Sequence, residues 1–323
     1  MIKQIRTDQL KPGMYIHDLN CGWLDHPFVS NTFHVRDQAT VGKIIDLGIR
    51  EVYIDTLKGA DVGEARTQSE VNADIDRRMQ AIAEKPVDKP VVADLKNEAV
   101  RARRLHGEAN KLVRLVLDDI RFGQKIRVDS IEPVVDSMVE SVFRNQDALL
   151  PLARLKNLDD YTFEHSVGVC ALLIAFGRSM KLPKETIREI ALGGLLHDIG
   201  KAQIPDAILN KPAKLTDHEF SRMQSHVAES LRLLEDVPGI GVATRQVVAE
   251  HHERFDGTGY PLKKVGEGIS LPGQMAAIVD VYDAITSEKV YSRGMQPTQA
   301  LKKLLEWSNH HFDPQLVQGF IRA

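Results

Sequence analysis

The sequence predicts a mainly α protein: a C-terminal helical bundle preceded by a small α+β N-terminal domain and a helical linker. Three observations predict it. From Leu95 onward, apolar residues recur at helical spacing. Short strand-like runs are confined to the first 57 residues. Between them, residues 58–94 are polar and broken by Pro86, Pro90 and glycines. The expected organisation is a small α+β domain over 1–57, a linker over 58–94, connecting helices over 95–147 and a helical domain over 148–323.

In the first domain, Leu10-Lys11-Pro12-Gly13 reads as a turn leading into a strand through Met14, Tyr15 and Ile16. Val41, Ile44, Ile45 and Leu47 give 39–47 helical spacing, Gly48 ends that helix, and 51–55 reads as a short strand. His17, His26 and His34 match no metal spacing and are read as surface or turn residues. A short helix over 68–83 is the one element expected in the linker. Over 99–121, Val100, Leu105, Leu112, Leu115, Val116 and Ile120 form the expected buried stripe, and Arg101, Arg103 and Arg104 a solvated face. A second helix is expected over 131–143, handing over to the helical domain near Ala148.

Composition excludes several classes. A net charge of -3 argues against a broad grip on a nucleic-acid polymer, although a local cationic pocket for a small anion remains compatible with it. The two cysteines, Cys21 and Cys170, are far apart, so neither a disulfide framework nor a thiolate zinc site is expected. Cys170 lies in an apolar run and reads as a small core residue. No signal-peptide core and no apolar run near ~20 residues is seen, so the chain is expected to be cytoplasmic, without a transmembrane segment.

Seven residues stand out as candidates for chemistry: His165, His197, Asp198, His226, His251, His252 and Asp280. Each has a helical setting. An apolar helix over 190–196 delivers His197 and Asp198 to its end, where Gly200 permits a turn. An amphipathic stretch over 219–234 carries His226, and one over 273–286 holds Asp280 and Asp283, three apart on one face. A bundle can aim such groups into a common cavity. Imidazoles and carboxylates gathered in this way suit a hydrolytic metal centre. A lone histidine of this kind is usually a surface or hydrogen-bonded core group. Here the order and context of the motifs change that judgement.

Those motifs are YTFEHSVGV at Tyr161, GLLHDIGKAQIPDAILNK at Gly194, HVAES at His226, HHERFDGTGYP at His251 and DVYDAITS at Asp280. In this order they resemble the HD-GYP branch of the HD phosphohydrolase superfamily, over about 148–322, so the bundle is expected to be of the HD type. Residues 1–60 resemble a domain of unknown function often found before HD-GYP domains.

The resemblance implies a cyclic di-GMP phosphodiesterase of bacterial signalling that yields pGpG and further GMP at a centre of divalent metal ions. By motif position, His165, His197, Asp198 and Asp280 would bind one metal, and Asp198 would bridge to a second held by His226, His251 and His252. Some members carry a glutamate four residues before the first histidine for a third metal; here that residue is Tyr161, which implies two. Nitrogen and oxygen donors without thiolate favour iron or manganese. Asp198 and Lys201 would serve catalysis, with Lys201 beside the phosphate or leaving oxygen. Arg254, Gly257, Gly259, Tyr260 and Pro261 would form a lip over the substrate.

Many members read arginine-proline-tyrosine-arginine after the last metal aspartate, where this chain has Lys289-Val290-Tyr291-Ser292 and then Arg293. Lys289 and Arg293 would still meet phosphate, without arginine's fork at position 289. That departure keeps a competing reading: a catalytically slow, cyclic di-GMP-responsive module that docks on partners such as GGDEF cyclases. His310 and His311 are read as non-catalytic, and a homodimer is compatible with the sequence.

Overall fold

A computed structural model describes the chain except residues 23–27, 29, 85–91, 154–160, 212, 288–293 and 309. The described chain forms two compact units, one of 1–84 with 210–220, the other of 85–209 with 221–323. His26, Lys289 and Arg293 lie outside the described residues.

The first unit is built on an antiparallel sheet of order β1-β4-β2-β3, with β1 Ile2–Arg6, β2 Tyr15–Asp18, β3 Phe33–His34 and β4 Glu51–Asp55. Central β4 pairs Val52 with Ile5 on one side and Ile54 with Ile16 on the other. Ile5, Ile16, Val52 and Ile54 are buried beneath Val41 and Ile44 of α1, Gln38–Asp46. Asp37 caps α1 through the Thr40 amide, and Gly48 beyond its end takes φ +74°. The expected strands and helix are present; β1 and β3 are additional. β1 is five residues long and its polar Lys3, Gln4 and Arg6 break any clean alternation, so it does not announce itself. His34 is exposed and His17 half-buried. Helix α2, Gln68–Ala83, begins with a reciprocal capping box between Thr67 and Glu70.

In the second unit, α3 spans Leu95–Arg121 and α4 spans Glu132–Ala153. The buried stripe of α3 is Ala102, Leu105, Ala109, Val113, Val116, Leu117 and Ile120. Val100 and Leu115, expected within it, are 72% and 61% exposed. The alanines explain the shift: 102, 105, 109, 113, 116 and 120 hold a strict three-four rhythm, and the bulkier Val100 and Leu115 fall outside it. Non-helical Asn145 kinks α4, and the Arg144 carbonyl freed there accepts from the Val92 and Ala93 amides.

Glu98 fastens α3 to α4. Its buried carboxylate accepts two bonds from the Arg144 guanidinium and one from Ser141 Oγ, each 2.8 Å. Arg144 first, and Ser141 after burial's opposing effect, hold the Glu98 carboxyl below its usual range.

The chain continues through α5 (Tyr161–Ser179), α6 (Lys184–Leu196), short α7 (Asp206–Leu209), α8 (Asp217–Gln224), α9 (His226–Leu233), α10 (Val242–Glu250), α11 (Leu271–Thr286), α12 (Pro297–Glu306) and α13 (Pro314–Arg322). The single helix expected over 219–234 is instead α8 and α9, broken at Ser225, whose hydroxyl bonds back to the Arg222 carbonyl. Cys170 is fully buried beside Met138, and burial pushes its thiol far up, as befits a core residue. Among the described residues no helix is long and apolar enough to cross a membrane.

Truncating the α3–α4 clasp tests this account. Glu98→Ala should lower stability by about 2–3 kcal/mol, because the partly buried Arg144 loses its counter-charge. A urea unfolding midpoint unchanged from the parent would contradict it.

Candidate metal centre

All seven candidates converge. His165 comes from the second turn of α5, His197 and Asp198 from the end of α6, His226 from the first turn of α9, His251 and His252 from the end of α10, and Asp280 from α11. Every one is buried except His252, whose side chain is 25% exposed. His165, His197 and Asp280 offer ligand atoms within 4.8 Å of one another, as do His226, His251 and His252, and as do His197, Asp198 and His251.

Glycine sets how closely the elements approach. The 3-10 turn Ile199–Gln203 lies so tightly on α9 that a Cβ on Gly200 would meet the His226 carbonyl oxygen at 2.0 Å. Gly200 lies within this turn, with a φ that is not positive, and the close contact is what its missing side chain supplies. Ser230 Oγ locks the junction, accepting from the Gly200 amide and donating to the His197 carbonyl.

Three imidazoles are held by nearby backbone carbonyls, two from their own helices and that of His226 from the end of α8. His197, His226 and His251 each place Nδ1 within 3.0 Å of the carbonyl oxygen three residues earlier, on Gly194, Met223 and Val248. A carbonyl only accepts, so each Nδ1 carries the proton and each Nε2 a lone pair. Those lone pairs point inward. His226 and His251 bring Nε2 to within 3.4 Å of each other, and His226 Nε2 lies 3.3 Å from Asp198 Oδ1. His165 Nε2 is 2.9 Å from Asp280 Oδ1 and 3.7 Å from Asp198 Oδ2, while its Nδ1 meets the buried Asp283 carboxylate at 2.5 Å. Among the described residues, His197 Nε2 and Asp198 Oδ1 find no hydrogen-bond partner, though both are buried.

Electron pairs gathered at these distances, away from water, repel unless positive charge lies among them. Borderline nitrogen and hard oxygen donors fit divalent first-row cations. Burial pushes His226 down to about 4 and His251 to about 3, and pushes His252 down as well, so all three are neutral and able to donate an electron pair. Burial opposes charge on Asp198, but His197 and Lys201 outweigh it and hold the carboxyl well below its usual range. Asp280 is likewise low, against burial, through His165. Burial acts against the charged form of His197 too, yet Asp198 raises it above its ordinary value.

Lys201 Nζ bonds Asp198 Oδ2 at 2.5 Å and is 24% exposed, at the rim. Tyr260 stacks on His252, ring centroids 4.6 Å apart, and its amide donates to the His252 carbonyl. The Tyr260–Pro261 peptide is cis, and Gly257 takes φ +80°. A Cβ on Gly259 would meet the Arg254 amide nitrogen at 2.3 Å.

Two carboxylates that were not singled out organise this loop. Buried Glu253 accepts from the Leu262 and Lys264 amides. Buried Glu250 accepts from the Ser270 amide and hydroxyl and from Lys264 Nζ, joining the end of α10 to the start of α11. Their adjacency to the histidine pair, in AEHHE, was the available signal. The His310 and His311 carbonyls accept from the Asp256 and Phe255 amides, so this segment supports the loop's base through its backbone.

Helices that converge buried imidazoles and carboxylates on shared positions define a class, the helical histidine-aspartate metal-site proteins. Comparison with known sequences narrows it. The HD domain profile matches residues 137–316, and a domain of unknown function, DUF3391, matches 2–131. The chain belongs to the HD-domain family. It is 41% identical to the Cyclic di-GMP phosphodiesterase PA4108 of Pseudomonas aeruginosa, over 100% of this chain and 77% of that protein. It is 33% identical to the Cyclic di-GMP phosphodiesterase response regulator RpfG of Xanthomonas campestris, over 72% of this chain and 62% of that protein. It is also 33% identical to 3'3'-cGAMP-specific phosphodiesterase 1 of Vibrio cholerae, over 62% of this chain and 44% of that protein. The solved structure of Bd1817, an HDG"Y"P protein from Bdellovibrio bacteriovorus, shares the fold, with TM-score 0.57 and 17% identity over 99% of this chain and 98% of that one.

The depressed histidines give a pH dependence. His226 and His251 protonate near pH 6.5 when unfolded but only near pH 4 and 3 when folded. Between those values the unfolded chain binds more protons, so stability falls as pH falls. His197, raised, works in the opposite sense, but it is outnumbered. The metal-stripped protein should therefore lose stability steadily from pH 7 to pH 4.5 in urea titrations. A flat or rising profile would contradict the neutral assignment.

Proposed function

We propose that this protein is a metal-dependent phosphodiesterase that hydrolyses cyclic di-GMP to pGpG, with further cleavage to GMP. The observation that carries the reading is the convergence of seven donors, six of them buried, on a pocket whose rim bears a lysine and an aromatic ring. The similarity to named cyclic di-GMP phosphodiesterases supports the substrate.

In this reading His165, His197 and Asp280 hold one divalent cation, iron or manganese, and His226, His251 and His252 hold a second. Asp198 turns Oδ2 toward the first set and Oδ1 toward the second, which suits it to bridge them. Two such cations supply a nucleophile from water at neutral pH and offset charge on the phosphoryl oxygens. The chain's own groups do the rest. The backbone carbonyls behind His197, His226 and His251 fix their tautomers. Lys201 offers an ammonium at the mouth, where it can meet a phosphate or the departing oxygen. Arg254 supplies an anion partner on the loop, and Tyr260, backed by His252, an aromatic edge for a guanine base.

Three variants test the reading. His197→Ala or Asp198→Ala should remove bound metal and cyclic di-GMP hydrolysis together. Lys201→Ala should keep the metal yet slow turnover by about 10²-fold, as loss of one charge-stabilising or proton-transfer group commonly does. The measurements are elemental analysis and chromatography of the products, with manganese or reduced iron present and 3'3'-cGAMP as a second substrate. Tight cyclic di-GMP binding without product would instead favour the non-catalytic signalling module. Full activity in metal-depleted Asp198→Ala protein would sink the assignment.

A further inference from the structure

The two halves of the centre are not alike. On one side stand His165, His197 and Asp280; on the other His226, His251 and His252, with Asp198 between them. Asp280 favours the first set, with Oδ1 at 2.9 Å from His165 Nε2, and meets the second only through Oδ2 at 3.8 Å from His252 Nδ1. The groups behind the imidazoles differ too. His197, His226 and His251 each lean on a neutral backbone carbonyl three residues earlier. His165 leans on a charged group, Asp283 Oδ2, at 2.5 Å from Nδ1. Asp283 is 3% exposed and reaches His165 from α11, one turn beyond Asp280. The same helix therefore supplies a donor in front of His165 and a carboxylate behind it.

A carboxylate behind a ligating imidazole fixes the ring and makes its other nitrogen a stronger base. Extra negative charge draws a divalent cation further, most strongly where water is excluded. Manganese also prefers oxygen donors. The Lys201 ammonium sits on Asp198 Oδ2, the oxygen turned toward the first set, and so offsets part of that set's advantage, leaving the Asp283 carboxylate to decide the order.

We propose that Asp283 is a positioning residue that makes the two cation positions unequal: the His165, His197 and Asp280 position fills first and holds its ion more tightly, while the three-histidine position fills second and exchanges readily. The inference rests on the two-cation reading above and extends it. In this form the enzyme can lose one ion and keep the other, so activity follows the free-metal concentration while the fold stays metal-loaded.

The test is a manganese titration of the metal-stripped full chain, with free ion read by electron paramagnetic resonance. The parent should show two binding steps at least about tenfold apart. Asp283→Asn should weaken the first step by about 10- to 100-fold and leave the second within about twofold. His252→Ala should weaken only the second. A purely structural loss would move both steps together. One binding class in the parent, equal weakening of both steps in Asp283→Asn, or loss of the tight step in His252→Ala would each overturn the proposal. If Asp283→Asn does not fold, the parent and His252→Ala titrations still decide the order of filling. Complete absence of manganese binding overturns the two-cation reading and this proposal with it, whereas binding in one class overturns this proposal alone.

Discussion

The constraint on which this structure turns is the burial of electron-pair donors with too few hydrogens among them. Among the described residues His197 Nε2 and Asp198 Oδ1 lack hydrogen-bond partners, and His226 and His251 present lone pairs to each other at 3.4 Å. A folded core tolerates such an arrangement only if something positive completes it. Much of the second unit is arranged to keep these groups in place regardless. Three imidazoles are pinned by carbonyls at the ends of α6, α8 and α10, and the His197 and His226 segments are clamped by Ser230 and the missing side chain of Gly200. Site geometry is thus written into helix ends, where free carbonyls are already present.

The candidate donors were legible because each sits at a fixed place in a motif, and short motifs survive errors in the boundaries around them. His226 shows this well. The long helix expected around it is broken at Ser225, yet His226 still arrives at the centre as the first residue of α9. The α3 stripe was less legible. Bulk drew attention to Val100 and Leu115, whereas the helix buries Ala102 and Ala109, whose small side chains let α4 and α5 come close. Strands β1 and β3 were missed because short, half-polar strands owe their existence to partners distant in sequence.

Glu250 and Glu253, and the identity of the ring that Asp283 meets, share one reason for being hard to read. Sequence spacing locates what reaches the centre, but it is silent on what stands behind. Glu253 meets amides 9 and 11 residues later, and Asp283 meets a ring 118 residues earlier. Such partnerships exist only after the chain has folded. The mouth of the site is legible in kind, with Lys201 and Tyr260 both half-exposed beside it.

The segment from Arg254 to Lys264 looks like a surface loop, but its attachments make it part of the interior framework. Glu253 grips it at two amides, the His310 and His311 carbonyls hold its root, and Tyr260 rests on His252. Surface connections usually drift in length and composition between relatives. This one has little such latitude, because adding a residue between Gly257 and Leu262 would pull an aromatic plane off an imidazole that borders the chemistry. Evolutionary tinkering with selectivity is therefore steered to residues that decorate the segment, while its contour stays fixed.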